Sequence, residues 1–162
     1  MHIISATTGH QEEAKDNVEK ATSTDINAKN LIHTHAVDMG SLNDLIPMAQ
    51  NLASSLTRLD LLHLNAGVGV APFGLTQDGL GNHYAINYLA HLVLADIFSG
   101  KMKETAKEKQ GGSETEKFST RIVLESSELH RSSPSEVKCE SLEEMNEDIG
   151  PMKLYGRSKL FE

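Results

Sequence analysis

Arg58 to Gly67, RLDLLHLNAG, is the stretch that decides how the rest of the chain is read. Leu59, Leu61, Leu62 and Leu64 form a short apolar run bounded by turn residues. A run of this length that ends in Asn-Ala-Gly suits a strand in the middle of a parallel sheet, covered on both faces. In open parallel sheets ligands gather beyond the carboxyl ends of the strands, so Asn65, Ala66 and Gly67 mark a candidate ligand wall.

Upstream, Met1 to Ala6 reads as a strand that starts with the first residue, Thr7 to Gly9 as a turn and Gln11 to Thr22 as a polar helix. Thr22 to Asn30 is a loop, and Leu31 to Val37 alternates as a second strand ending at Asp38. Ser41 can cap the next helix, because its hydroxyl can accept from an unpaired backbone N–H. Leu42, Leu45, Ile46, Ala49, Leu52, Ala53 and Leu56 then recur at helical spacing. Pro47 interrupts them at a cost of ~3 kcal/mol if interior, which predicts a kink or a later start.

Downstream, Val68 to Leu75 is a loop, and Thr76 to Phe98 is predicted as one long helix whose two glycines weaken its first turn. Residues 100–120, where acids and bases alternate, form a solvated helix end and a flexible linker. Arg121 to Glu125 is a fourth strand ending at Ser126-Ser127. Ser141-x-x-Glu144 resembles a capping box and predicts a short helix over Leu142 to Glu147. Leu154 to Glu162 begins another helix. The order β-α-β-α-β-α-β-α predicts a parallel sheet with right-handed crossovers.

Composition bounds the function. The 162 residues fit one domain, 1–162. A formal charge of −8 argues against nucleic acid and anionic membrane as partners, since phosphate binding needs basic clusters. The single Cys139 excludes an intrachain disulfide and reads as a passive thiol in a reducing compartment. Tyr84 to Phe98, interrupted by Asn87, His91 and Asp96, is too short to cross ~30 Å of hydrocarbon. These features predict a cytoplasmic protein with no membrane span.

The strongest chemical signal is Tyr155-Gly156-Arg157-Ser158-Lys159. At i and i+4, Tyr155 and Lys159 share a helix face. A phenol is a poor base at neutral pH, and a neighbouring ammonium favours its phenolate form. Alone, the pair also reads as a surface contact. Ser126-Ser127 at a strand end, Asn65-Ala66-Gly67 and the mid-helix Asn87 likewise have structural readings: a cap, a turn, a satisfied core amide. Their co-occurrence in this order on an alternating α/β chain carries the argument.

Asp38 after its strand, Asn65-Ala66-Gly67, PFGLTQDGLGNHYAINYLAHLVL, RIVLESSELH and YGRSK together resemble the short-chain dehydrogenase/reductase family, closest to its retinol-dehydrogenase-like and fungal-type members. The resemblance implies a Rossmann-like doubly wound parallel sheet, and an oxidoreductase that transfers a hydride between NAD(P)(H) and an alcohol/carbonyl substrate. It further implies that Tyr155 is the acid/base and that Lys159 binds the nicotinamide ribose and depresses the tyrosine pKa. Ser127 would hydrogen-bond the reacting oxygen, with Ser126 the lesser candidate, and Asn87 would hold a relay water. Asp38 would contact adenine, and Asn65, Ala66 and Gly67 would line the cofactor cleft. Family habit leans toward NADP. The Thr76 to Phe98 helix would help form a homodimer or homotetramer.

The chain departs from the family pattern in Leu64-Asn65 and in lacking the Thr-Gly-x-x-x-Gly-x-Gly turn; Gly9 has no companions. The expectation is a chain truncated at both ends, without the first strand and its Gly-rich loop and without the C-terminal strands. In the family's strand order the first strand lies between the Met1 strand and the central one, so the sheet is expected to fall into two halves. The alternative is therefore a non-catalytic fragment or pseudoenzyme acting at most through protein association. Eight histidines invite a metal reading, but no Cys or carboxylate joins them at ligand spacing, so no metal site is assigned.

Overall fold

The computed structural model describes residues 2–5, 33–108, 120–138 and 140–161. The predicted Gln11 to Thr22 helix, Cys139 and the stretch 109–119 lie outside them. The chain divides into two compact units, Met1–Met39 and Gly40–Glu162. In the first, β1 (His2–Ser5) and β2 (His33–Ala36) pair in parallel, with His2 opposite His33 and Ser5 opposite Ala36.

The second unit holds the remaining elements. Helix α1 (Leu42–Ser55) starts where Ser41 accepts from the Asp44 N–H, and Leu45, Ala49 and Leu52 line its buried face. Asp78, from the loop before the next helix, also accepts from the Leu42 N–H at 2.6 Å, placing a carboxylate at the helix's positive end. Pro47 neither ends nor delays α1, which runs through it. The ring forfeits one hydrogen bond, and the buried Leu45–Ala49–Leu52 stripe outweighs that loss.

Strand β3 (Leu61–Leu64) pairs in parallel with β4 (Arg121–Leu124), Leu62 beside Ile122 and Leu64 beside Leu124. The expectation that the central strand is covered on both faces is corrected. Leu62 and Leu64 are buried, whereas Leu61 is 55% exposed and His63 is exposed too. Among the described residues the strands make two separate pairs, β1–β2 and β3–β4, in keeping with a divided parallel sheet.

Helix α2 begins at Asn82, not at Thr76. Thr76 to Gly79 instead make a turn, Gly79 at φ 73°, closed by the Leu75–Gly81 bridge. α2 then runs through Asn82–Tyr84, a π-helical turn at Ala85–Leu89, and Ala90–Glu108. Lys101 to Glu108 form the predicted helix end, although Met102 and Thr105 in it are buried. α2 packs on α1 and buries Leu94, Phe98 and Met102. Thr105 ties it to the sheet by accepting from the Leu59 N–H at 2.8 Å.

After β4, Ser127 caps a 3-10 helix (Glu128–Ser132). α3 (Leu142–Met145) is capped by Ser141 and ends two residues short of the predicted Glu147. The Glu144 carboxylate accepts from the N–H groups of Lys138 and Glu140, so it braces the entering chain. α4 (Pro151–Leu160) starts three residues earlier than expected, because proline at its first position needs no N–H partner.

Candidate active site

α4 carries Tyr155 and Lys159 one helical turn apart on one side. Its place is fixed by Gly156. A Cβ there would lie 2.7 Å from the Leu129 carbonyl oxygen and 2.8 Å from the Ser133 nitrogen, and closer still to the Ser132 hydroxyl. Only a glycine lets α4 lie this close to the 3-10 helix. Ser132 Oγ adds a bond to the Met152 carbonyl across the same seam, at 3.1 Å.

Lys159 is buried, at 6% exposure, and its ammonium donates to the Glu125 carbonyl at 2.6 Å. A buried charge requires such partners, since desolvation otherwise costs several kcal/mol. The contact brings the ammonium to the carboxyl end of β4. Ser126 next to it donates to the Lys159 carbonyl at 3.3 Å, a second tie between strand end and helix. Ser127 accepts from the Leu129 N–H at 3.2 Å, which orients its oxygen.

Asn87 is fully buried in the π-helical turn of α2. Its amide accepts from the Val68 N–H at 2.7 Å, and donates to the Val68 carbonyl at 3.0 Å and to the Ser158 hydroxyl at 2.8 Å. Ser158 in turn donates to the Tyr155 carbonyl at 2.8 Å. One side chain thus joins the loop after β3, helix α2 and the Tyr155 turn of α4. Gly67 completes the approach: a Cβ there would meet Asn87 Oδ1 at 3.0 Å. Asn65 beside it is exposed and Ala66 half-buried.

Two buried groups back this arrangement. Arg157 donates to the carbonyls of Glu144 at 2.6 Å, Met145 at 2.9 Å and Glu147 at 3.3 Å, holding α3 against α4. His83, at 2% exposure, has Nε2 2.9 Å from the Gly69 carbonyl and Nδ1 3.0 Å from Asn82 Oδ1. Burial pushes the imidazole below its ordinary pKa; the Gly69 carbonyl opposes that shift, and the Arg157 guanidinium adds to it.

The second unit therefore brings together Asn65, Ala66, Gly67, Asn87, Ser127, Tyr155 and Lys159, on the carboxyl side of β3 and β4. Asp38 belongs to the first unit, half-buried in the turn after β2. Sequence reasoning missed Gly156, Arg157, Ser158 and His83 as positioning residues. Ser158 was detectable, because it is the i+3 neighbour of Tyr155. Arg157 gave no signal, because its three acceptors are main-chain carbonyls.

Comparison with known proteins fits this geometry. No family model matches the sequence. The chain is 40% identical over 113 residues to a Neurospora crassa protein named as a mitochondrial oxidoreductase, covering 70% of this chain and 26% of that one. It is 31% identical over 124 residues to retinol dehydrogenase 14 of Mus musculus, covering 76% and 33%. A protein of Penicillium roqueforti named as a short-chain dehydrogenase/reductase is 32% identical over 123 residues, covering 76% and 33%. The chain belongs to the short-chain dehydrogenase/reductase family. Levodione reductase superposes with a TM-score of 0.61 at 15% identity, covering 99% of this chain and 51% of that one, which establishes the shared Rossmann-type fold. This short-chain dehydrogenase/reductase chain spans 26% to 33% of the length of those three curated relatives.

Proposed function

We propose that the chain carries the acid/base machinery of an NAD(P)-dependent oxidoreductase that interconverts an alcohol and a carbonyl. The observation that supports this most is the buried Lys159 ammonium at the end of β4, one turn from Tyr155 on a helix anchored through Ser158 to Asn87. In the direction of reduction, Tyr155 gives its phenolic proton to the substrate oxygen. Lys159 holds the ribose hydroxyls. Ser127, its oxygen oriented by the Leu129 N–H, donates a hydrogen bond to the reacting oxygen. Asn87 holds the relay water at the π-helical turn, and Asn65 to Gly67 line the cofactor.

The donor set fits a nicotinamide ribose: an ammonium and a phenol on one helix face, beside a strand end whose Gly67 keeps the loop tight on Asn87. The nicotinamide, when bound, supplies the hydride. NADP is the preferred form by family habit. The relatives' names motivate retinol and polyprenol, with their aldehydes, as first substrates.

Calorimetric titration with NADPH and NADH tests the assignment. Lys159→Ala should weaken cofactor affinity at least about tenfold, as expected for loss of a charged hydrogen bond. Equal affinity of wild type and Lys159→Ala contradicts the role given to Lys159. The second reading, a non-catalytic chain that acts through protein association, is favoured by the division of the described strands into two pairs. It predicts no cofactor binding by either protein.

A further inference from the structure

The loop after β3 is held by side chains from the start of α2. Asn87 binds both main-chain groups of Val68, accepting from its N–H at 2.7 Å and donating to its carbonyl at 3.0 Å. His83, four residues earlier in α2, takes the next carbonyl along, with Nε2 2.9 Å from the Gly69 oxygen. Further out, the Asn82 amide donates to the Pro72 carbonyl at 3.3 Å and the Asn82 N–H to the Gly74 carbonyl at 2.9 Å. The bonds at Pro72 and Gly74 shape the outer loop. Those at Val68 and Gly69 bear on the wall itself, because Gly67 adjoins them.

A trans peptide points its carbonyl and the following N–H in opposite directions. With the Val68 and Gly69 carbonyls turned to α2, the N–H groups of Gly69 and Val70 are turned away from it. No hydrogen bond among the described residues uses either N–H, and both residues are exposed. The position of the ring proton follows from the partners. The bond to Pro72 orients the Asn82 amide with its oxygen toward His83, and that oxygen already accepts from the His83 N–H at 3.0 Å. The Gly69 carbonyl has no other donor among the described residues. A neutral imidazole has one N–H, and it contributes most on Nε2. Burial, aided by the Arg157 guanidinium, outweighs the pull of the Gly69 carbonyl and keeps the ring neutral above its ordinary 6.5.

We propose that His83 is a positioning residue for cofactor binding: it donates from Nε2 to the Gly69 carbonyl and so keeps the loop that follows Asn65 to Gly67 set before the cofactor arrives. This rests on the role given above to Asn65 to Gly67 as the cofactor wall. Ordering a loop on binding lowers affinity, and a wall held in place beforehand avoids that loss. Asn87 alone fixes one residue of the loop. With His83, two successive peptides are fixed, and the Gly69 and Val70 N–H groups stand as donors on the open side.

Two measurements on the 162-residue chain test this. Nitrogen NMR of the histidine-labelled, cofactor-free chain at about pH 7.5 reads the ring directly, the His83 signals being those lost in His83→Gln. They should show the proton on Nε2, and a proton on Nδ1 would overturn the proposal. Calorimetric titration with NADPH then compares two variants, each confirmed as folded by circular dichroism. Glutamine places its amide nitrogen where Nε2 lies, and asparagine places its own where Nδ1 lies. His83→Gln should therefore bind NADPH within about threefold of wild type, and His83→Asn about tenfold more weakly, as expected for one lost hydrogen bond. Wild-type affinity in His83→Asn, or an equal loss in His83→Gln, would overturn the role of His83 alone. A wild type that binds neither NADPH nor NADH would overturn the proposed function and this role with it.

Discussion

Replacing Gly156 by alanine sets two effects of known size against each other. In a helix interior alanine is favoured over glycine by ~1 kcal/mol. The tertiary site opposes this. The new Cβ would lie 2.7 Å from the Leu129 oxygen and 2.8 Å from the Ser133 nitrogen. Ordinary contacts fall near ~3.5 Å, so α4 and the 3-10 helix must part by roughly 0.8 Å. The Ser132 hydroxyl, closer still, can rotate away, but the Leu129 oxygen and the Ser133 nitrogen are main-chain atoms and cannot. Overpacking of this kind costs ~1–3 kcal/mol, and the retreat also stretches the bond from Ser132 to the Met152 carbonyl, now 3.1 Å. The loss should exceed the propensity gain, leaving a net destabilisation of about 1–2 kcal/mol. Gly100, in α2, is the control: a Cβ there meets nothing within 4 Å, so Gly100→Ala should stabilise by about 0.5–1 kcal/mol. Equilibrium urea unfolding followed by circular dichroism reads both. A Gly156→Ala protein as stable as Gly100→Ala would refute the close approach of α4.

Three further outcomes follow from the same contacts. Asn87→Ala strips partners from the main chain of half-buried Val68 and from the Ser158 hydroxyl, and should destabilise by about 2–4 kcal/mol in urea; a loss under ~1 kcal/mol contradicts its role as the joint between β3, α2 and α4. Arg157→Lys cannot reproduce a fork that serves three carbonyls, so amide hydrogen exchange over Leu142 to Asn146 should rise at least about tenfold, whereas unchanged exchange would detach α3 from Arg157. Because burial holds His83 below its ordinary 6.5, the unfolded chain binds the extra proton first as pH falls. The stabilisation from neutral His83 is complete above about pH 6.5 and is lost below it, with a slope of at most ~1.4 kcal/mol per pH unit. His83→Gln should flatten the fall in stability between about pH 6.5 and pH 5, and an unchanged slope would show that His83 titrates freely.

Local chemistry was legible in the sequence, and long-range contacts were not. Ser41 and Ser141 cap their helices as expected, because a cap involves residues three apart. Tyr155 and Lys159 share a helix face for the same reason. The start of α2 was misplaced because Thr76 to Leu80 has helical spacing, whereas its structure is set by the Leu75–Gly81 bridge and by Asp78, which serves α1. The exposure of Leu61 and His63 depends on which elements cover each face of β3, information the strand itself does not hold. Asn87 was recognised as an anomalous polar residue in an apolar helix. Its partner Ser158, 71 residues away, emerges only when the chain is folded.

In the proposed function Tyr155 is the proton donor, on a helix held by Lys159 at the end of β4 and by Ser158 at Asn87. The most direct measurement is NADPH-dependent reduction of retinal by the purified chain, compared with its Tyr155→Phe variant. The account predicts turnover that falls at least about 100-fold in Tyr155→Phe while NADPH affinity is retained. Equal turnover in the two proteins, or none in the wild type with retinal or the polyprenol aldehyde, would contradict it.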